Sequence, residues 1–137
     1  MVDDKTEVIA EIFRLFADSG NLPTVIHCSN GTARTGFVSA LLLAALGVPE
    51  DTVVADYTLS NLNYDHFYAE AQEKVRILSI FGVTADDLQP MILSQPKTMQ
   101  GVFDHIRQQY GSLETYLSET VGLDDETIAR LRNNLLY

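Results

Sequence analysis

The stretch Val25–Gly36 is the feature that most constrains how this chain can fold. It reads VIHCSNGTARTG: an apolar run ends at His27 and Cys28, a short polar loop follows, and a long apolar stretch begins near Thr35. A short apolar run followed by a loop and a continuous apolar pattern predicts a strand, a loop and a buried helix, in that order. We therefore expect the chain to fold around a strand–loop–helix unit.

The loop has the residues of an anion-binding site. Cys28 and Arg34 are separated by five residues. A loop between a strand end and a helix start turns successive backbone N–H groups inward, and the helix dipole adds partial positive charge. Arg34 supplies a planar guanidinium group that can hold two phosphate oxygens, and Cys28 at the base of the loop should have a lowered thiol pKa. The alternative is a buried structural Cys28 beside a solvated Arg34.

The motif His27-Cys28-x5-Arg34-Thr35-Gly36 resembles the signature of cysteine-dependent protein tyrosine phosphatases. The segments Leu41–Pro49 and Ala55–Asn61 look like the bacterial and fungal tyrosine/serine phosphatase family, and so do Ile106–Leu117 and Gly122–Asp124. The resemblance covers nearly the whole chain. It implies hydrolysis of phosphate monoesters through a cysteinyl-phosphate intermediate.

The resemblance also implies a role for the residues of the loop. Cys28 would attack phosphorus, Arg34 would stabilise the transition state, and Thr35 would donate to the leaving thiolate. Asp56 would orient Arg34, completing the catalytic set. From its position alone, Asp56 could also be a substitute acid or an ordinary helix carboxylate. The expected phosphate-binding set is His27, Ser29, Asn30, Gly31, Thr32, Ala33, Arg34 and Gly36. We expect neither a metal ion nor another cofactor, because the loop supplies the positive charge.

The sequence departs from the family pattern inside the loop. The family usually carries Lys-Asp before the arginine, and this chain has Thr32-Ala33. Since the Asp is thought to be the general acid, Ala33 removes the expected proton donor. Aryl phosphates, whose leaving groups need that proton less, should then be favoured over alkyl phosphates. Asp65 and His66 are weaker candidates for a donor, with a solvated helix start as their default interpretation.

Two alternative functions remain open at this point. A phosphate-binding module with little turnover would explain Ala33, although such a module has no need of the Cys28 thiol. Arsenate reductases also use a Cys-x5-Arg loop, but their need for further cysteines counts against them, because this chain has one cysteine.

Composition restricts the partners and the compartment. The 19 acidic and 9 basic side chains give a formal net charge of -10, which argues against nucleic acid or an anionic membrane as a partner. The same charge opposes the phosphorylated substrate everywhere except at a local positive site. A single cysteine excludes an intrachain disulfide and a cysteine-based metal site, and it fits a reducing, cytoplasmic location. We expect no signal peptide and no membrane span, since the apolar run around Leu41 is too short.

The predicted fold is mostly α-helical with one short strand, Thr24–His27, that leads into the phosphate loop. This is a reduced version of the α/β cysteine-phosphatase fold, and residues 1–137 are expected to form a single domain. The helical patterns cover 5–18, 35–46, 49–61, 64–81, 84–93, 96–110, 112–117 and a last segment that begins after Asp124. Family members carry a long segment before this region that includes the first strands of a parallel sheet.

The lone strand leads to a prediction about assembly. The run Leu22–His27 has no obvious partner in the sequence, and burying its unpaired backbone N–H and C=O groups would be costly. Antiparallel pairing with the same strand of a second chain would satisfy one row of these groups. The sequence therefore predicts a homodimer about a two-fold axis.

Overall fold

The computed structural model describes residues 1–76, 82, 84 and 86–136, and all regular structure within them is helical. Short 3₁₀ turns cover Ser19–Asn21, Leu59–Asn63 and Asp86–Leu88, and a π-helical turn covers Tyr116–Thr120. The α-helices are α1 (Thr6–Ala17), α2 (Ala33–Ala45), α3 (Glu50–Thr58), α4 (Tyr64–Val75), α5 (Gln89–Ile92), α6 (Pro96–Tyr110), α7 (Leu113–Thr115) and α8 (Asp125–Leu135).

The predicted strand is wrong. Leu22, the first residue of the segment Leu22–His27, has extended dihedral angles, φ −96° and ψ 142°. The segment nevertheless pairs with no other extended segment among the described residues. A strand exists only as part of a hydrogen-bonded ladder. Val25, near its middle, is 85% exposed. The described part of the chain is therefore an all-helical structure, and the α/β class predicted from the sequence does not apply to it.

Helix α2 is at the centre of the main core. Its sequence is apolar on nearly every side, and Phe37, Val38, Leu41 and Leu42 are all buried. Helix α1 packs against α8 and contributes Phe13, which is fully buried in the same cluster. The buried helix predicted to follow the loop is thus present. Because α2 is buried, the loop at the amino end of this helix is held in a fixed place.

Two smaller clusters extend this core. Helices α2, α3 and α6 share a cluster of Ala40, Val53, Val54, Tyr57, Met99 and Phe103. Ala71, Val75 and Ile92 form a separate one between α4 and α5. The predicted helix to Phe81 is seen in α4 as far as Val75, and residues 77–81 lie outside the described residues.

The helix predicted near Thr84 begins with a capping interaction. The Thr84 backbone N–H and hydroxyl both donate to Asp87 Oδ2, each at 2.8 Å. These hydrogen bonds to the charged form lower the pKa of the Asp87 carboxyl. Residue 85, between them, lies outside the described residues.

Tyr116 ties the start of the chain to the core. Its ring is fully buried, and its hydroxyl donates to the Val2 carbonyl oxygen at 2.9 Å. Burial raises the pKa of the Tyr116 hydroxyl to about 12, so the group remains a donor at neutral pH. No helix in the described ranges combines the length and the apolar character that crossing a membrane requires.

Gly36 allows α3 to approach the first turn of α2. A Cβ atom placed at Gly36 would lie 2.7 Å from Cδ2 and Cε2 of the Tyr57 ring. Because Tyr57 is itself buried, the ring has little room to move. The glycine is therefore required by packing.

We predict that Gly36→Ala lowers the free energy of unfolding by roughly 1–3 kcal/mol, because the added methyl group overpacks the contact with Tyr57. Gly101→Ala is the matched control: it lies within α6, and its added methyl group would meet no atom within 4 Å. That change should raise stability by about 0.5–1 kcal/mol through helix propensity. Urea denaturation followed by circular dichroism measures both, and a Gly36→Ala protein as stable as the wild type would contradict the packing argument.

Candidate active site

The loop from Cys28 to Thr32 leads directly into the amino terminus of α2. Thr32 is the residue before the helix, and its carbonyl oxygen accepts the Gly36 N–H at 2.7 Å, which closes the first helical turn. Gly31 has φ +71°, a left-handed conformation that glycine adopts without steric cost. The N–H groups of Asn30, Gly31 and Thr35 lie within reach of the Cys28 sulfur.

The Cys28 thiol is partly buried at the base of this loop. Burial by itself raises the pKa of the thiol. The nearby Thr35 hydroxyl and hydrogen bonding from the N–H groups of Thr35, Asn30 and Gly31 act in the opposite direction and prevail, so that the Cys28 pKa falls to about 6. At neutral pH the cysteine is therefore mainly a thiolate, the nucleophilic form.

The Thr35 hydroxyl faces this thiol without a fully formed hydrogen bond. Its oxygen is buried and has no partner at ordinary hydrogen-bond geometry among the described residues, although its proximity lowers the Cys28 pKa. Because a buried hydroxyl without a partner is costly, this hydroxyl is available to donate to negative charge on the sulfur.

Arg34 lies on the exposed side of the loop and closes it. Its Nη2 donates to Ser29 Oγ at 3.0 Å, a contact that joins the residue after the cysteine to the first turn of α2. Within the described ranges, no carboxylate forms an ion pair with Arg34. The guanidinium group thus keeps its full positive charge beside the thiol.

A cavity of about 390 Å³ opens beside the loop. Its polar and reactive lining residues are His27, Cys28, Arg34 and Thr35. The remaining lining residues, which form the apolar part of the cavity wall, are Ile12 of α1, Val25 and Ile26 of the extended segment and Val38 of α2. The arrangement can hold a small anion against the loop and an apolar group next to it.

One expected contact of the site is not formed. Asp56 lies exposed on α3 and makes no ion pair with Arg34, so the orienting contact implied by the family resemblance is missing in the described structure. His27 is exposed at the edge of the cavity, and it makes no hydrogen bond to neighbouring backbone within the described residues. The loop is closed by Ser29 and Arg34 instead.

The other candidates lie away from the loop. Asp65 and His66 are exposed in the first turn of α4, and His66 Nε2 pairs with Glu70 Oε1 at 3.3 Å. Neither lines the cavity. His105 Nε2 lies 2.8 Å from Asp3 Oδ1, a structural contact between the start of the chain and α6.

Sequence reasoning missed the apolar part of the cavity wall and the Ser29 hydroxyl. Ile12 belongs to the apolar stripe of α1, and nothing near it in the sequence indicates that this helix packs beside the loop. Val25 is close enough to Cys28 in the sequence to be a candidate for the cavity wall. Its place in an apolar run predicted a buried strand residue instead, whereas the structure has it exposed.

We predict that the alkylation rate of Cys28 by iodoacetamide rises with pH around a midpoint near 6, because hydrogen bonds to the thiolate outweigh its burial. Thr35→Val, which removes the hydroxyl at nearly constant volume, should move the midpoint toward the ordinary thiol value. Thr58→Val is the control, since its hydroxyl bonds to the Ala55 carbonyl oxygen at 2.7 Å. A wild-type midpoint at or above about 8.5 would refute the assignment.

Comparison with known proteins identifies the family. The sequence profile described as the tyrosine phosphatase family matches residues 1–137. The chain is 32% identical over 117 residues to a tyrosine-protein phosphatase homologue of Cupriavidus necator, an alignment that covers 85% of this chain and 41% of the relative. It is 32% identical over 122 residues to the triple specificity protein phosphatase PtpB of Mycobacterium tuberculosis, covering 83% of this chain and 44% of that protein.

A third relative agrees with these two. The chain is 27% identical over 132 residues to a tyrosine-protein phosphatase of Nostoc commune, covering 91% of this chain and 43% of the relative. The chain thus spans less than half the length of the curated relatives it matches. With a family profile that matches along its whole length, the chain belongs to the tyrosine phosphatase family.

Proposed function

We propose that this chain carries the catalytic loop of a cysteine-dependent phosphatase and hydrolyses phosphate monoesters. The observation that carries the proposal is the Cys28 thiol, whose pKa of about 6 makes it a thiolate beneath the N–H groups of the loop and beside the Arg34 charge. A structural cysteine gains nothing from a lowered pKa. Membership of the tyrosine phosphatase family supports the same chemistry.

In the first step, the Cys28 thiolate attacks phosphorus on the side opposite the ester oxygen. The S–P bond forms, the P–O bond to the leaving group breaks, and the electron pair of that bond leaves with the oxygen. Arg34 and the N–H groups from Ser29 to Thr35 bind the three equatorial oxygens. They are already oriented before reaction, so they stabilise the transition state without reorganisation.

In the second step, a water molecule attacks the phosphorus of the cysteinyl-phosphate. The new P–O bond forms as the S–P bond breaks, the protons of the water leave with the inorganic phosphate, and the thiolate is regenerated. The Thr35 hydroxyl, which is buried next to the sulfur and otherwise without a partner among the described residues, donates to the sulfur as its charge returns. The lowered thiol pKa also makes Cys28 a better leaving group.

The leaving group is proposed to be an aryl oxide, as in phosphotyrosine. Ala33 cannot donate a proton from the loop, and a phenolic oxygen needs that proton less than an alkyl oxygen does. The apolar part of the cavity wall supports the same preference, because Ile12 and Val25 offer apolar surface next to the reactive side chains. Asp56 remains a proposed catalytic residue as a substitute acid, although it is not among the residues that line the cavity.

A phosphate-binding module with little turnover is the second candidate, and Ala33 favours it. Both candidates need the anion loop, and they differ in whether Cys28 reacts.

We also propose that the protein works in a reducing compartment such as the cytoplasm, because an accessible thiolate of this kind is readily oxidised. The single domain over residues 1–137 is likewise part of the proposal.

We predict that the wild-type turnover of monoesters falls steeply as the pKa of the leaving group rises, since no loop acid protonates it. Ala33→Asp should raise the turnover of alkyl phosphates by roughly 10- to 1000-fold, through restored general acid catalysis. Ala33 is exposed, so the larger side chain has room. Steady-state kinetics with a series of aryl and alkyl phosphates measures both effects.

Two variants serve as controls for this prediction. Ala33→Asn matches the size of the aspartate but cannot act as an acid, so it should not raise the turnover. Cys28→Ser should abolish turnover in every background while phosphate binding remains. Equal gains with Asp and Asn would contradict acid catalysis, and turnover that survives Cys28→Ser would contradict the proposed nucleophile.

We further propose that two chains associate through the segment 22–27. No backbone-to-backbone hydrogen bond is formed by residues 24–27 within the described part of the chain, and Val25 is 85% exposed. Antiparallel pairing about a two-fold axis would satisfy these groups at one edge of the segment and leave the cavity side chains on its face.

Light scattering coupled to size-exclusion chromatography is expected to show a dimer at micromolar concentration. Val25→Lys should shift the protein toward the monomer of 15.2 kDa, because two like charges would meet near the two-fold axis. Leu62→Lys, at a site that is 83% exposed but outside the segment, is the matched control. A wild-type monomer across the whole concentration range would refute this assembly.

A further inference from the structure

The side chain of Ser29 makes a contact that the proposed reaction does not account for. Ser29 enters that reaction only through its backbone N–H, yet its hydroxyl oxygen accepts a hydrogen bond from Arg34 Nη2 at 3.0 Å. Both side chains are exposed, so packing does not force them together. Among the described residues, Ser29 is the one side-chain hydrogen-bond partner of Arg34.

Holding an arginine in place has an energetic consequence. A free arginine side chain has rotamer entropy that is lost when the guanidinium group binds an anion. A restraint that already holds the group near its working position reduces that loss on binding. Ser29 follows Cys28 directly, so its hydroxyl fixes the guanidinium relative to the sulfur that is expected to attack.

The neutral character of Ser29 matters as much as its position. Asp56, which the family resemblance implied as the partner of Arg34, makes no ion pair with it, and a hydroxyl does not neutralise the guanidinium charge. In a chain with a formal net charge of -10, an uncompensated local cation is what attracts an anion. A guanidinium group has five N–H donors, so one bond to Ser29 leaves four for phosphate oxygens.

We propose that Ser29 is a positioning residue, whose hydroxyl holds the Arg34 guanidinium over the loop in the place that a phosphoryl group requires. The inference rests on the proposed function only in taking phosphate as the anion. It assigns to the serine side chain the orienting role that the family resemblance implied for Asp56.

A double-mutant cycle on the full chain tests this role, with inorganic phosphate as the probe and titration calorimetry as the measurement. Ser29→Ala should weaken phosphate binding about 3- to 10-fold, the usual range for one hydrogen bond. Ser29→Thr keeps the hydroxyl and should restore the affinity to within about 2-fold. In an Arg34→Ala background, Ser29→Ala should change nothing further, because its effect passes through the arginine. Ser118→Ala, whose hydroxyl contacts only the Thr115 carbonyl oxygen at 3.4 Å, is the control.

A second measurement does not depend on phosphate affinity. The ¹⁵Nε relaxation of Arg34 should report a more mobile side chain in Ser29→Ala and a recovery in Ser29→Thr. Arg14, whose Nη2 donates to the Gly122 carbonyl oxygen at 3.2 Å, is the internal reference and should not change. If the variants in the Arg34→Ala background bind phosphate too weakly to measure, the relaxation experiment tests the proposal on its own.

Unchanged Arg34 mobility in Ser29→Ala would overturn the proposal, and so would an equal loss of phosphate affinity in both backgrounds. Neither experiment requires turnover. A chain that binds phosphate but does not hydrolyse monoesters would therefore refute the proposed function and leave the Ser29 assignment standing. An active enzyme in which Ser29→Ala changes neither phosphate affinity nor Arg34 mobility would refute the Ser29 assignment and leave the proposed function standing.

Discussion

The hydrogen bonding of loop N–H groups to the Cys28 sulfur is the interaction on which the proposed chemistry depends. Burial opposes charge on the thiol, and the N–H groups of Asn30, Gly31 and Thr35, together with the Thr35 hydroxyl, overcome that effect to bring its pKa to about 6. The N–H donors are unsatisfied groups of a tight loop and a helix start, so their direction is set by the backbone rather than by mobile side chains. An overall acidic chain can therefore hold a second negative group next to a thiolate.

The rigidity of this arrangement comes from the helix behind it. Helix α2 is buried on several sides, by α1 through the main core and by α3 through the Tyr57 ring. Gly36 lets that ring lie against the first turn, close to the loop. A small change in packing there would move the N–H groups that face Cys28, which couples the stability of the fold to the pKa of the thiol.

The loop was the part of this protein that its sequence predicted best, because its geometry is local. The five-residue spacing of Cys28 and Arg34, a glycine with φ +71° and the apolar helix that follows all belong to one continuous stretch. The strand failed because pairing depends on a partner that the described residues do not supply. The Arg34–Ser29 contact depends on side-chain geometry that spacing alone does not specify, and the expected contact with Asp56 needed a tertiary approach that is not made.

The central claim is that Cys28 forms a covalent bond to phosphorus. Rapid acid quenching of the wild-type chain during turnover of an aryl phosphate, followed by mass spectrometry of its peptides, tests it most directly. The proposed mechanism predicts that the peptide containing Cys28 gains the mass of one phosphoryl group, and that Cys28→Ser shows no such gain. Turnover with no phosphorylated Cys28 peptide, or with the phosphoryl group on another residue, would contradict it.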